Sequence, residues 1–140
     1  MNYLLDTNII SELISKKPQQ NVLDFIKNLD EDSIYLSVIT IGEIRFGIDR
    51  LDKNSKRKKE LDIWFDSLLD RFDGRILDID IKTMMIWSDI TNTLQKQGVA
   101  ISIMDALIAS SSLRNRMNLV TRNVKDFKNI KNLKCIDPFA

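Results

Sequence analysis

The sequence contains no histidine and only one cysteine, Cys135, among its 140 residues. Without histidine there can be no Ser-His-Asp or Cys-His triad, no histidine general base and no histidine metal ligand. The single cysteine excludes a disulfide framework and a cysteine-based zinc site. Any metal ion bound by this protein must therefore be held by oxygen atoms.

Long hydrophobic runs are also missing. No stretch approaches the roughly 18 consecutive apolar residues that a membrane span requires, and the first apolar run ends at Asp6. These features predict a soluble, cytoplasmic protein with no membrane segment. The composition, with 44% hydrophobic and 29% charged residues, is that of an ordinary globular domain. The length predicts one domain over residues 1–140.

The net charge is only +1, but the charges are unevenly distributed. Residues 114–134 contain seven basic side chains and one acidic side chain, Asp126. A second basic island comprises Lys53 and the run from Lys56 to Lys59. Charge runs usually only solvate a surface, so we interpret this island as the solvated start of a helix or a loop.

Short apolar segments alternate with amphipathic ones along the chain. The segments at residues 3–5, 34–38, 75–77, 119–121 and 133–136 are typical of strands, and the stretches between the first four have helical spacing of apolar residues. Trp64 and Trp87 lie on these helical stripes, which predicts core packing for both. The alternation predicts a three-layer α/β/α fold with a mostly parallel central sheet.

Polar residues at the strand-to-helix turns are the candidates for function, because ligands of open α/β sheets bind at the carboxyl ends of the strands. Four turns carry such residues: the first has Asp6 and Asn8, the second Glu43, the third Asp105, and the fourth Thr121, Asn123 and Asp126.

Helix capping is the alternative explanation for each of these residues. Asn8 is a suitable N-cap, Thr40 to Glu43 has the form of a capping box, and Ser102 to Asp105 is its acidic variant. Taken together, these residues favour a functional site over helix capping, because Asp6 directly follows an apolar strand and Asp105 lies in an apolar run. A carboxylate in such surroundings is unfavourable unless a partner neutralises it. Neither segment contains a basic side chain that could neutralise its carboxylate, whereas a divalent cation could neutralise both.

The chain resembles the PIN-domain nucleases, and among them the VapC-like toxins of bacterial toxin–antitoxin pairs. The segments that carry the resemblance are residues 4–12, 36–48, 104–109 and 119–127, in the expected order. The resemblance implies an endoribonuclease that depends on Mg²⁺ or Mn²⁺. It further implies inhibition by a small antitoxin protein whose C-terminal segment lies in the active-site groove, and a homodimer.

Carried over to this sequence, the resemblance makes Asp6, Glu43 and Asp105 the metal-binding and catalytic acids. The family's fourth acid falls on Asn123, which departs from the pattern, and Asp126 is the catalytic acid that could compensate for it. Asn8, Thr121 and Asn123 would support the site by hydrogen bonding. Arg122 and Lys125 would contact RNA, and a structured RNA such as a tRNA is the implied substrate.

Two other functions remain open from the residues alone. A phosphatase of the haloacid-dehalogenase type also places an aspartate after its first strand and needs Mg²⁺, but the segment Asp6-Thr7-Asn8 lacks its second acid. A catalytically weak PIN-like module that only binds RNA or an antitoxin would explain Asn123, although three acids remain in place.

Overall fold

Five strands and six helices alternate along the chain in the computed structural model, which describes residues 1–140. The strands are β1 (Tyr3–Leu5), β2 (Ile34–Ser37), β3 (Ile76–Leu77), β4 (Asn118–Val120) and β5 (Cys135–Ile136). The helices are α1 (Thr7–Leu13), α2 (Gln20–Lys27), α3 (Val38–Asp49), α4 (Lys56–Arg71), α5 (Ile81–Lys96) and α6 (Ile103–Arg114). Short 3₁₀ turns lie at Glu31–Ser33 and Val124–Phe127. None of the helices is long and apolar enough to cross a membrane.

The strands form a single parallel sheet in the order β3-β2-β1-β4-β5. The chain moves outward from β1 through β2 to β3, then returns to the other side of β1 to form β4. Strand order therefore reverses between β1 and β4. In open α/β sheets the crevice beyond the carboxyl ends of the strands at such a switch point is where ligands bind.

The two faces of the sheet bury separate apolar clusters, because successive side chains of a strand point to opposite faces. Leu5 and Val120 face a cluster built with α1 to α4, whereas Leu4 and Leu119 face a cluster built with α5, α6 and Phe127. The predicted three-layer α/β/α fold with a parallel sheet is confirmed. Trp64 and Trp87 are both partly buried.

Helix α3 begins earlier than the sequence pattern indicated. Its N-cap is Ser37, whose hydroxyl accepts a hydrogen bond from the Ile39 amide at 3.0 Å. The predicted start at Thr40 is therefore wrong, and so is the extension of strand β2 to residue 38. Thr40 is fully buried inside the helix, and Leu51 lies beyond its end and is exposed.

Two other local features follow the sequence pattern. The basic island begins α4, where Ser55 caps the helix and Lys56, Arg57 and Lys59 are exposed, which confirms the solvated helix start. Gly98 follows the end of α5 with φ +71°, a left-handed conformation that glycine adopts without strain.

The burial of β1 predicts the effect of truncating it. Leu4 is fully buried at the centre of the sheet, so Leu4→Ala should lower the free energy of unfolding by about 2–5 kcal/mol. Ile63→Ala on α4 is the matched control, because Ile63 is 71% exposed and its truncation should change stability by less than about 0.5 kcal/mol. Chemical denaturation followed by circular dichroism measures both, and equal losses would contradict this packing.

Candidate active site

Asp6 occupies the switch point, directly after β1. Its amide continues the sheet by donating to the Val120 carbonyl at 2.9 Å, and only 5% of the residue is exposed. The side chain is the N-cap of α1, because Oδ1 accepts a hydrogen bond from the Thr7 amide at 2.8 Å. Oδ2 accepts a second one from the Thr121 hydroxyl at 2.9 Å. The carboxylate is thus fixed by neutral donors at the start of α1 and directly after β4, with no basic partner.

Asn8 lies inside α1 and links the first turn to the fourth. Its Nδ2 is 3.3 Å from both Asp6 Oδ2 and Thr121 Oγ1, and its Oδ1 accepts from the Arg122 amide at 3.2 Å. The alternative that Asn8 caps the helix is therefore wrong, since Asp6 fills that position. Asn8 holds the segment after β4 against the start of α1.

Glu43 reaches the same place from α3. Its Oε1 accepts a hydrogen bond from the Thr7 hydroxyl at 2.6 Å, and the Thr40 hydroxyl lies 3.2 Å from that of Thr7. Because α3 begins at Val38, Glu43 lies beyond the first turn and takes no part in capping. The link through Thr7 was not predicted, since it joins residues 36 positions apart and no local pattern signals it.

Asp105 lies in the first turn of α6 and is partly buried. Ser102 caps this helix, with its hydroxyl accepting a hydrogen bond from the Asp105 amide at 3.1 Å. The predicted cap at Ser102 is confirmed, and it involves the backbone of Asp105. The side chain of Asp105 remains available to line the cleft.

These segments together form an open cleft of about 480 Å³ at the carboxyl end of the sheet. None of its lining residues is hydrophobic. Six of the residues singled out from the sequence line it: Asp6, Asn8, Glu43, Asp105, Arg122 and Asn123. Thr121 lies just beneath and bonds to Asp6, while Lys125 and Asp126 are exposed and do not line it. Three lining residues were not singled out: Thr7, Ser11 and Glu12.

Burial and like charges make the cleft unfavourable for anions. Desolvation raises the pKa of Asp6, opposed by hydrogen bonds from Thr121 and Thr7, and the charges of Asp105 and Glu43 raise it further. Desolvation also raises the pKa of Asp105, with Ser102 acting in the opposite direction and the charges of Asp126 and Glu43 adding to the rise.

Basic side chains do not offset this charge. None of the ion pairs in the protein involves Asp6, Glu43 or Asp105. Arg122 lines the cleft, but its guanidinium lies 4.6 Å from the centre of the Phe139 ring and forms no ion pair. The negative charge of these three carboxylates is therefore not neutralised by an ion pair within the protein.

The donor set suits a hydrated divalent cation. No three acidic side chains converge closely enough to enclose an ion by themselves. Mg²⁺ does not need such a cage, because it usually retains several waters and takes one or two carboxylates. The cleft offers carboxylate and amide oxygens, which are the ligands that such a hard cation prefers.

A parallel sheet with helices on both faces and carboxylates at its switch point defines an α/β domain with an acidic, cation-attracting cleft. The family model described as "PIN domain" matches residues 3–133. This chain belongs to the PIN domain family, as its resemblance to those proteins implied.

Individual relatives extend over nearly the whole chain. It is 31% identical over 133 residues to Ribonuclease VapC2 of Rickettsia felis, covering 95% of each chain. It is 34% identical over 125 residues to Toxin FitB of Neisseria gonorrhoeae, covering 89% of each chain. The crystal structure of VapBC2 from Rickettsia felis bound to a promoter DNA fragment matches with a TM-score of 0.82 and 30% identity, over 97% of this chain and 98% of that one.

The electrostatics of the cleft predict that Asp105→Asn does not destabilise the metal-free protein. Because the pKa of Asp105 is raised in the folded state, ionisation opposes folding above the unfolded pKa, near 3.8. The midpoint of thermal unfolding at about pH 7 should be equal or higher in the variant, and the difference should shrink towards about pH 4. A lower midpoint at neutral pH would contradict the destabilisation of the charged Asp105 by desolvation and by like charges.

Proposed function

We propose that this protein is a metal-dependent endoribonuclease that serves as the toxin of a toxin–antitoxin pair. The observation that carries the proposal is the meeting of Asp6, Glu43 and Asp105 in one polar cleft without a basic partner. Its named relatives, a ribonuclease and a toxin, support the same conclusion. RNA cleavage would take place in the cytoplasm.

Asp6 and Asp105 would hold Mg²⁺ or Mn²⁺, directly or through water, and Glu43 would be the third acidic ligand. When bound, such an ion lowers the pKa of a water molecule and stabilises charge on phosphate oxygens. Thr121 and the Thr7 amide keep the Asp6 carboxylate in one orientation. Thr7 does the same for Glu43, which would orient the attacking water.

The reaction is hydrolysis of a phosphodiester bond. The oxygen of water bonds to phosphorus, the bond from phosphorus to the 3′ oxygen breaks, and the leaving oxygen acquires a proton. The products therefore carry 5′-phosphate and 3′-hydroxyl ends. Carboxylates suffice to orient water and to hold the ion, so the absence of histidine is no obstacle to this chemistry.

Asn123 is a better candidate than Asp126 for the position of the family's fourth acidic residue. It lines the cleft, and its backbone amide donates to Thr121 Oγ1 at 3.1 Å. Asp126 lies outside the lining, but its charge still raises the pKa of Asp105. We assign Asn123 as a neutral ligand or supporting residue, and Asp126 as a contributor through water.

The RNA backbone would be attracted by the basic C-terminal third of the chain. Arg122 lies at the rim of the cleft and Lys125 is exposed nearby in the sequence. Contacts of this kind neutralise phosphates without reading bases. A structured RNA, with tRNA as the leading candidate, fits recognition by shape.

The antitoxin would place its C-terminal segment in the cleft and would also use an apolar groove that shares no lining residue with the cleft. This groove has a volume of about 380 Å³, lies between α1, α2 and α4, and includes Leu13, Ile14, Ile26 and Trp64. An amphipathic segment of a small protein would cover such a surface. A homodimer would cover other exposed apolar side chains, such as Ile81 and Met85 on α5.

The two alternative functions are less well supported. The dehalogenase-type phosphatase needs a second acid at position 8, where the amide of Asn8 instead holds Asp6 and the Arg122 backbone. A binding-only module would have no need to gather three carboxylates in one cleft, where desolvation and like charges disfavour the charged forms of Asp6 and Asp105. Cleavage assays decide between these functions.

Asp105→Asn tests the proposed activity. The substitution removes one metal-binding charge, so metal-dependent RNA cleavage should fall by about 100-fold or more. Asp89→Asn is the control, since Asp89 is exposed on α5 outside the cleft and its change should leave the rate unaltered. Fragments resolved on denaturing gels measure both rates, and undiminished cleavage by Asp105→Asn would refute this site.

Asn123→Asp tests the fourth position. Introducing a carboxylate adds negative charge to the ligand set, so Mg²⁺ should bind up to about ten-fold more tightly in calorimetry. Asn92→Asp, on the exposed surface of α5, adds the same charge elsewhere and should not change the affinity. An unchanged affinity for Asn123→Asp would show that Asp126, or no residue, provides the fourth contact.

A further inference from the structure

A second depression, which we call the α3 groove, lies along helix α3 beside the cleft. It has a volume of about 510 Å³, and its lining includes Ile39, Gly42, Glu43, Phe46, Gly47 and Arg50. Glu43 also lines the acidic cleft. The two depressions therefore adjoin at Glu43, so a chain whose phosphate lies in the cleft has the α3 groove next to it.

The lining residues share one face of α3. Glu43, Phe46, Gly47 and Arg50 follow the i, i+3, i+4, i+7 spacing that aligns side chains along a helix. From Glu43 to Arg50 this face spans about 10 Å. Along this face, Glu43 beside the cleft is thus followed by the aromatic ring of Phe46 and then by the guanidinium of Arg50.

The aromatic ring of Phe46 contributes little to the hydrophobic core. Phe46 is 55% exposed, although full burial would stabilise the protein. The Arg50 guanidinium lies 5.5 Å from the ring centre, within range of a cation–π contact. Arg50 forms no ion pair, so its charge is free to meet an anion.

Two glycines keep the floor of the groove open. No heavy atom lies within 4 Å of a Cβ added at Gly42 or at Gly47. Neither glycine has a positive φ, so neither is required by the backbone, and glycine inside a helix is destabilising. Close packing does not explain them, whereas room for a flat ligand does.

We propose that the α3 groove binds a nucleotide adjacent to the scissile phosphate, with its base stacked on Phe46 and its phosphate contacting Arg50. Aromatic rings bind bases of any sequence by stacking, and arginine pairs with phosphate. The bound segment is single-stranded, because only an unpaired base can stack in this way. This inference rests on the proposed ribonuclease function and adds a subsite to it.

Binding of a single-stranded RNA of about 12 nucleotides tests the subsite. The protein carries Asp105→Asn, which should slow cleavage by about 100-fold or more, and fluorescence anisotropy gives the dissociation constant. Phe46→Ala should weaken binding by about ten-fold, the effect of losing one base stack. Phe46→Trp should retain the affinity, and its added indole fluorescence should be quenched by RNA.

Gly47→Leu provides an independent test, because it fills the groove while favouring the helix. It should weaken RNA binding without lowering the thermal midpoint, whereas Ile63→Ala should change neither. Full affinity in both Phe46→Ala and Gly47→Leu, or no binding of this RNA by the Asp105→Asn protein, would overturn the subsite. Conversion of a dimer to a monomer by Phe46→Ala in sedimentation would also overturn it, by showing that the groove joins two copies.

The failure of this proposal is distinguishable from failure of the ribonuclease. If the wild-type protein cleaves RNA and Phe46→Ala cleaves with an unchanged KM, only the subsite is wrong. If the wild-type protein cleaves no RNA, the proposed function itself fails. A KM raised by Phe46→Ala at unchanged kcat, with Phe46→Trp close to wild type, supports the subsite.

Discussion

The burial of the Asp6 carboxylate at the switch point of the sheet is the constraint on which the rest of the site depends. A carboxylate there loses water and has no basic partner, so only neutral hydrogen bonds and a bound cation can stabilise its charge. The neighbouring acids add repulsion to this cost. A fold that keeps such an arrangement has a local instability that binding of a cation would relieve.

The hydrogen bonds around Asp6 also explain how the fold assembles the cleft. Thr121 from the end of β4 and Thr7 from α1 hold Asp6, and Thr7 in turn holds Glu43 of α3. Asn8 ties the segment after β4 to the same turn. Parallel topology makes this possible, because it brings the carboxyl ends of β1, β2 and β4 to one edge of the sheet. Three separate segments thereby depend on a single buried side chain.

Much of this architecture could be predicted from the sequence, since apolar strands and amphipathic helices alternate clearly. Helix starts were harder, because Ser37 and Thr40 are both good caps and the β-branched residues between them favour a strand. Asp6 and Asn8 are equally good caps for α1, and only tertiary contacts decide between them. The role of Thr7 depends on a partner 36 residues away, which no local pattern reveals. The sequence was compatible with either Asn123 or Asp126 in the cleft. In the structure Asp126 belongs to the short 3₁₀ turn Val124–Phe127, and its side chain is exposed and does not line the cleft.

We propose that Asp6, Glu43 and Asp105 carry out metal-dependent cleavage of RNA. The most direct test incubates the purified, antitoxin-free protein with total RNA in the presence of Mg²⁺, of Mn²⁺ or of a chelator, alongside Asp6→Ala. We expect discrete fragments with 5′-phosphate ends in the metal-containing samples, and none with the chelator or with Asp6→Ala. Intact RNA in every sample, with circular dichroism showing folded protein, would contradict it.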